Sequence, residues 1–174
     1  MHRESDQRKT CRSFERNFVM DNYCCNWDNN YCRRNNILCC SLGDHIEVND
    51  DGCEWIGGYG KNGDQDADQC LSYAAPHVMA GINYTHDNAE TIRYWTYCCP
   101  LVTDDPAFSI ALNDCQWTET LGTCSTRNLD TTGCNEFGED YVVVGLDTSD
   151  LPGAWLQRGR RVRLRCCRVD LINN

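Results

Sequence analysis

Fifteen cysteines in 174 residues constrain this chain more than any other feature. Such density belongs to disulfide frameworks formed in an oxidising compartment. Eight of them stand as adjacent pairs, Cys24-Cys25, Cys39-Cys40, Cys98-Cys99 and Cys166-Cys167. Neighbours on a strand point to opposite faces, so the two members of a pair rarely share one metal ion. Zinc sites favour C-x-x-C or mixed Cys/His clusters. The four histidines, His2, His45, His77 and His86, form no such cluster with cysteine. Disulfides are therefore expected, structural zinc is not, and the compartment is secreted and extracellular. The odd count leaves one cysteine free or bridging to another chain if all others pair.

The cysteines also mark internal repeats. Residues 11–40 align with 70–99 without a gap. Cys11 falls on Cys70, Val19-Met20 on Val78-Met79, Asp28-Asn29 on Asp87-Asn88, Arg34 on Arg93, and Cys39-Cys40 on Cys98-Cys99. A third copy runs from Cys134 to Cys166-Cys167, and its Val142–Leu146 matches Val78–Ile82. It is longer before its cysteine pair, around Leu151-Pro152-Gly153, a turn composition that tolerates insertion. The two later copies have a leader, Cys53-Glu54-Trp55 and Cys115-Gln116-Trp117, which residues 1–10 lack. Cys24, Cys25, Cys32 and Cys124 fall outside the repeated frame.

The V-x-x-G-hydrophobic stretches are short and β-branched, hence strands. Arg161–Arg165 alternates with period two, hence a half-exposed strand, and Arg93–Tyr97 stands at the same place in the second copy. No long helical stripe occurs. Each copy is thus expected to be mostly β and closed by a bridge from its first cysteine to its terminal pair. Cys11 should reach Cys39 or Cys40, Cys70 should reach Cys98 or Cys99, and Cys134 should reach Cys166 or Cys167. The other member of each pair faces away and needs a different partner, with Cys53 and Cys115 as candidates. The repeats, 11–40, 53–99 and 115–167, lie in a single domain spanning 1–174.

The order C-x-W, spaced Cys, V-x-x-G strand, polar loop and R-x-W-x-Y-C-C ending resembles the dermatopontin family. Its carriers are Cys53-Glu54-Trp55, Cys70, Val78–Gly81 and Arg93–Cys99, then Cys115-Gln116-Trp117, Cys134, Val142–Gly145 and Arg161–Cys167. The resemblance covers residues 11–168. The aromatic of the ending is replaced by Asn36 in the first copy and Arg163 in the third. A weaker similarity is to the vitelline membrane outer layer protein family, whose three Cys-framed repeats form a pseudo-threefold β-prism. These resemblances imply an extracellular-matrix or adhesive glycoprotein that joins itself, matrix proteins or glycans, with a carbohydrate-binding lectin as the alternative. The expected fold is all-β, with three disulfide-closed repeats sharing one core about an approximate threefold axis, prism-like or else trefoil-like. Trp55 and Trp117 should then occupy equivalent places.

No nucleophile–base pair or carboxylate pair suggests an enzyme, and no cofactor is expected. His77 and His86 read as surface or packing residues. Asp64, Asp66 and Asp68 alternate after Gly63 as weak calcium candidates, without the full calcium loop and its closing Glu. Asn83-Tyr84-Thr85 is a glycosylation sequon expected at an exposed turn. No apolar run approaches the length of a membrane span. No signal peptide is visible, so secretion implies that Met1 is not the translation start. The net charge of −10 argues against nucleic-acid binding. Asp44, Glu47, Asp50, Asp51, Glu54, Asp64, Asp66 and Asp68 face only Lys61 in their segment, whereas Arg158, Arg160, Arg161, Arg163, Arg165 and Arg168 cluster without an acid. The arginine row reads as a solubilising surface, or as an interaction face for sulfated glycans, acidic neighbours or another copy of the chain.

Overall fold

The computed structural model describes residues 9–11, 18–28, 31–59, 69–88, 91–119, 133–147 and 163–174. Ten strands account for most of them: β1 (Lys9–Thr10), β2 (Phe18–Asp28), β3 (Tyr31–Ser41), β4 (Ile46–Val48), β5 (Glu54–Tyr59), β6 (His77–Asn88), β7 (Thr91–Thr103), β8 (Phe108–Trp117), β9 (Tyr141–Asp147) and β10 (Arg163–Asn173). Short 3-10 turns occupy Asp50–Gly52, Gln69–Ser72 and Cys134–Glu136, and no α-helix occurs among the described residues. The protein is all-β.

Each copy is built on an antiparallel pair with the same register. Val19 lies opposite Cys40, Val78 opposite Cys99, and Val142 opposite Cys167. One step on, Met20, Met79 and Val143 lie opposite Cys39, Cys98 and Cys166. The next residue of each first strand, Asp21, Ala80 or Val144, is then skipped by the ladder. A bulge at this point bends the strand and sharpens its twist. β6 and β7 extend the pair much further than the V-x-x-G stretch suggests, to Asn88 opposite Thr91. The polar loop expected after Ile82 is therefore strand.

The first strands form the middle of the molecule. Every residue of β9 is buried, as is every residue from His77 to Asn83 in β6. Strands covered on both faces read as continuous apolar runs, as Val142–Leu146 does, and not as alternation. β2, β6 and β9 pack pairwise against one another. Val19, Met20, Val78, Met79, Ile82, Val142, Val143, Val144 and Leu146 fill the core between them. Burying each such side chain contributes roughly 1.5–3 kcal/mol.

The chain around each first cysteine reaches a different copy. β1, next to Cys11, pairs with β6 through Lys9 opposite Ile82. The Gln69–Ser72 turn packs on β9, and the Cys134–Glu136 turn packs on β2. These contacts run from first copy to second, second to third, and third to first.

Five disulfides join the described residues. Cys11–Cys39, Cys70–Cys98 and Cys134–Cys166 close the copies through the first member of each pair. Cys53–Cys99 and Cys115–Cys167 use the second member. The chain-entropy account assigns closures of this length about 3–4 kcal/mol each.

The leaders are strands laid on the outer edges of the second and third pairs. β8 runs along β10, with Gln116 opposite Cys166 and Trp117 opposite Arg165. β5 runs along β7, with Glu54 opposite Cys98 and Trp55 opposite Tyr97. The two tryptophans thus hold the same register position. The second leader is interrupted: β4 pairs with the far end of β7, and the Asp50–Gly52 turn separates it from β5. The resulting sheets have the orders β1-β6-β7-β4 with β5 also on β7, β8-β10-β9, and β2-β3.

Candidate functional site

The leader tryptophans build two comparable outward faces. On β7, Thr96 is buried and its hydroxyl donates to Gln69 Oε1 at 2.7 Å, while half-exposed Trp95 and Tyr97 point the other way. Trp55 stacks on Tyr97 with ring centroids 4.7 Å apart. On β10, Leu164 is buried while Arg163 and Arg165 share the outer face. Their guanidinium carbons lie 5.1 and 5.3 Å from the Trp117 ring centroid, within cation–π range. Arg163 also donates to the Asp147 carboxylate. The period-two alternation is therefore present, but these arginines do not form a free row. They lie against an aromatic ring, with Arg163 paired to an acid. Arg158, Arg160 and Arg161 lie outside the described residues.

The acid-rich segment is exposed at Asp44, Glu47, Asp50, Asp51 and Glu54. Glu54 accepts a hydrogen bond from the Tyr73 hydroxyl at 3.0 Å, and nearby His45 lies 3.1 Å from Asp104. The calcium candidates Asp64, Asp66 and Asp68 lie outside the described residues, as does Cys124 and as do the side chains of Cys24, Cys25, Cys32 and His86. Among the described residues no group of three or more His, Cys, Asp or Glu side chains could hold a metal ion.

Two expectations about single residues meet the structure differently. His77 is buried, stacks on Tyr73 at 4.0 Å between centroids, and its Nδ1 lies 2.8 Å from the Ala75 carbonyl. A carbonyl only accepts, so Nδ1 carries the proton and the ring is locked by packing. Asn83, in contrast, is not exposed. It lies inside β6 opposite Trp95, is 6% accessible, and its Oδ1 has no hydrogen-bond partner. The expected exposure fails because the strand continues five residues beyond it, to Asn88.

Two clusters carry no sequence signal. Asp21, at the bulge of β2, is buried, and its Oδ1 accepts the backbone N–H of Asn135 at 2.9 Å. Burial raises its carboxyl pKa above the usual range, against the lowering effect of that N–H. Cys40 is a free thiol whose pKa is pushed up to about 12, first by burial and then by the negative charge of Asp21. Elsewhere, the Tyr141 hydroxyl donates to Asp114, a residue at φ 50°, and Arg168 pairs with Asp170 at 2.9 Å. Asp170 is held below the usual carboxylate range by Arg168 and then by Asn113.

The fold and these faces define a disulfide-stapled, all-β protein made of repeated two-strand units with leader strands. Its many disulfides are consistent with an extracellular protein, and no helix among the described residues is long and apolar enough to cross a membrane. Compared with protein-family models, curated proteins and solved structures, the chain matches none.

Proposed function

We propose that this chain is a secreted, non-enzymatic structural or adhesive protein of the extracellular matrix, dermatopontin-like in organisation, that associates with itself. Its copies are arranged about an approximate threefold axis in a prism-like, or alternatively trefoil-like, body. Support for the axis comes from the first-to-second, second-to-third and third-to-first contacts and from the shared register and bulge. The observation that carries the function is the separation of charge. Five exposed carboxylates stand between Asp44 and Glu54 around β4 and β5, while Arg163, Arg165 and Arg168 belong to β10 of the third copy. One subunit's acids meeting the next subunit's arginines is a heterologous contact, which builds rings or open filaments. Exposed ion pairs contribute below about 1 kcal/mol each, so apolar burial or strand pairing has to supply most of the affinity. Sedimentation across salt and protein concentration tests this reading. Assembly that weakens with salt supports it, and a monomer under every condition sinks it.

A second reading is a carbohydrate-binding agglutinin. It is favoured by the repeated leader face, Trp55 with Tyr97 and Trp95 in one copy, Trp117 with Arg165 and Arg163 in the next. Aromatic faces beside polar groups suit sugar rings. Binding on a glycan array, lost on Trp55→Ala and Trp117→Ala, would favour this reading over the first.

A further inference from the structure

The second and third copies share one outer face and fill it with complementary chemistry. Asn83 lies opposite Trp95 in the second hairpin, and Asp147 lies opposite Arg163 in the third. Two residues along, Tyr97 and Arg165 take the same place, opposite the leader tryptophans Trp55 and Trp117. In the third copy the face is satisfied from within. Arg163 donates to Asp147, and the guanidiniums of Arg163 and Arg165 pack over the Trp117 ring. The second copy keeps the receiving half of that arrangement: a leader tryptophan and a buried polar side chain at the place of Asp147. Aromatic rings, Trp95 and Tyr97, stand where the third copy has its two cations. The Asn83 Oδ1 has no hydrogen-bond partner. Trp55, Trp95 and Tyr97 are half-exposed, as are Arg163 and Arg165.

We propose that the aromatic face of the second copy docks on the arginine face of the third copy in another molecule of this chain. Arg163 and Arg165 then lie between their own Trp117 and the incoming Trp95 and Tyr97. A guanidinium is a planar cation, and each of its two faces can lie on an aromatic ring. Trp117 takes one face. The Arg163 side chain is still 37% exposed, so a ring from outside can meet it. Charge favours the same pairing. Asp50, Asp51 and Glu54 are exposed on the leader segment that carries Trp55, so the field around the aromatic face is negative and attracts a cationic one.

Another molecule of this chain is the occupant because the chain itself carries both halves, one on β7 and one on β10. A contact between two different faces is heterologous, so each molecule added by one face still offers the other. Trp, Tyr and Arg are the side chains that most often dominate affinity at protein contacts. They supply here what exposed ion pairs alone do not.

The contact rests on the self-association reading and assigns it two surfaces. The test follows the full chain by sedimentation over rising concentration, with Trp95→Leu and Arg165→Gln beside the wild type and each variant checked for the wild-type disulfide map. Each variant alone should associate about tenfold more weakly than the wild type, and Trp95→Phe, which keeps a ring, should recover part of the loss. Mixed together, Trp95→Leu and Arg165→Gln should form a dimer that grows no further, since one brings an intact arginine face and the other an intact aromatic face. A variant that had merely lost its fold would add nothing to the mixture. If Trp95→Leu does not reach the wild-type disulfide map, ethylguanidinium added to the wild type decides instead. It should dissociate the assembly more than sodium chloride of equal ionic strength, and equal effects would overturn the contact. Assembly unchanged in Trp95→Leu and Arg165→Gln but weakened by Asp50→Asn with Asp51→Asn overturns this contact and leaves the charge reading standing. Assembly lost in Trp95→Leu but unchanged by the two acid substitutions does the reverse. A wild type that stays monomeric at every concentration overturns both.

Discussion

The backbone N–H of Asn135 donates to the carboxylate of Asp21 across 2.9 Å, tying the turn of the third copy to the bulge of the first. The equivalent bulge residues are Ala80 and Val144, so only this copy sets an acid at that point of the core. Burial raises the Asp21 pKa, which means that the folded state favours the protonated acid. Its cost is therefore absent at low pH and develops as pH rises through the raised value. Asp21→Asn keeps the acceptor and removes the charge. It should raise the urea midpoint at neutral pH and match the wild type near about pH 3, where the acid is protonated in both states. A variant less stable than wild type at neutral pH would contradict this account.

Cys40 should be a sluggish thiol. With a pKa of about 12, only a small fraction is thiolate at neutral pH. Alkylation by iodoacetamide should run well below the rate of free cysteine and climb about tenfold per pH unit over the alkaline range. Asp21→Asn, by removing the neighbouring charge, should accelerate it. A rate equal to that of free cysteine at pH near 8 would show that the thiol is neither desolvated nor repelled.

The two disulfide classes should open in order. Cys53 and Cys115 are half-exposed, whereas Cys70, Cys98, Cys134 and Cys166 are fully buried. Access governs attack by an external thiol. Graded reductant followed by alkylation and mass mapping should label the leader bridges Cys53–Cys99 and Cys115–Cys167 before Cys70–Cys98 and Cys134–Cys166. The reverse order would mean that the leaders protect their own sulfurs.

Gly52 and Gly43 make a paired test. A Cβ on Gly52 would sit 2.6 Å from Pro100 Cγ, a ring carbon with little freedom to move, and one on Gly43 would meet nothing within 4 Å. Gly52→Ala should cost about 1–3 kcal/mol, on the scale of overpacking. Gly43→Ala should stay within about 0.5 kcal/mol of wild type. Thermal or urea unfolding of both variants decides it, and equal effects would show that the turn before β5 relaxes freely.

Much of the covalent frame is legible in the chain. Adjacent cysteines on a strand must face opposite ways, so one member closes the copy and the other reaches the leader, as Cys98 and Cys99 do. What cysteine spacing leaves open, Cys39 against Cys40 or Cys98 against Cys99, depends on which face of the strand looks inward. That is decided by the packing of β2, β6 and β9, not by spacing. The leader's register is legible for the same covalent reason: the Cys53 and Cys115 bridges fix Trp55 and Trp117 two residues along.

The bulge is not legible, because Asp21, Ala80 and Val144 share no chemistry; what they share is a place where the ladder skips. Asn83 resembles a turn residue because a polar sequence after Gly81-Ile82 reads locally as loop. Pairing with β7 holds it in strand, since backbone hydrogen bonds across a hairpin do not require apolar side chains. Arg163 and Arg165 do share one face of a strand, as their alternation implies, but their neighbour is invisible in sequence. Trp117 is far from them along the chain and meets them only because β8 lies on β10. Sequence alone thus determined the strand class, the repeat and the bridging logic, all set by local geometry and covalent reach. Which side chains became buried acids or covered cations was decided by the tertiary structure, because burial and pairing depend on what the rest of the chain brings alongside.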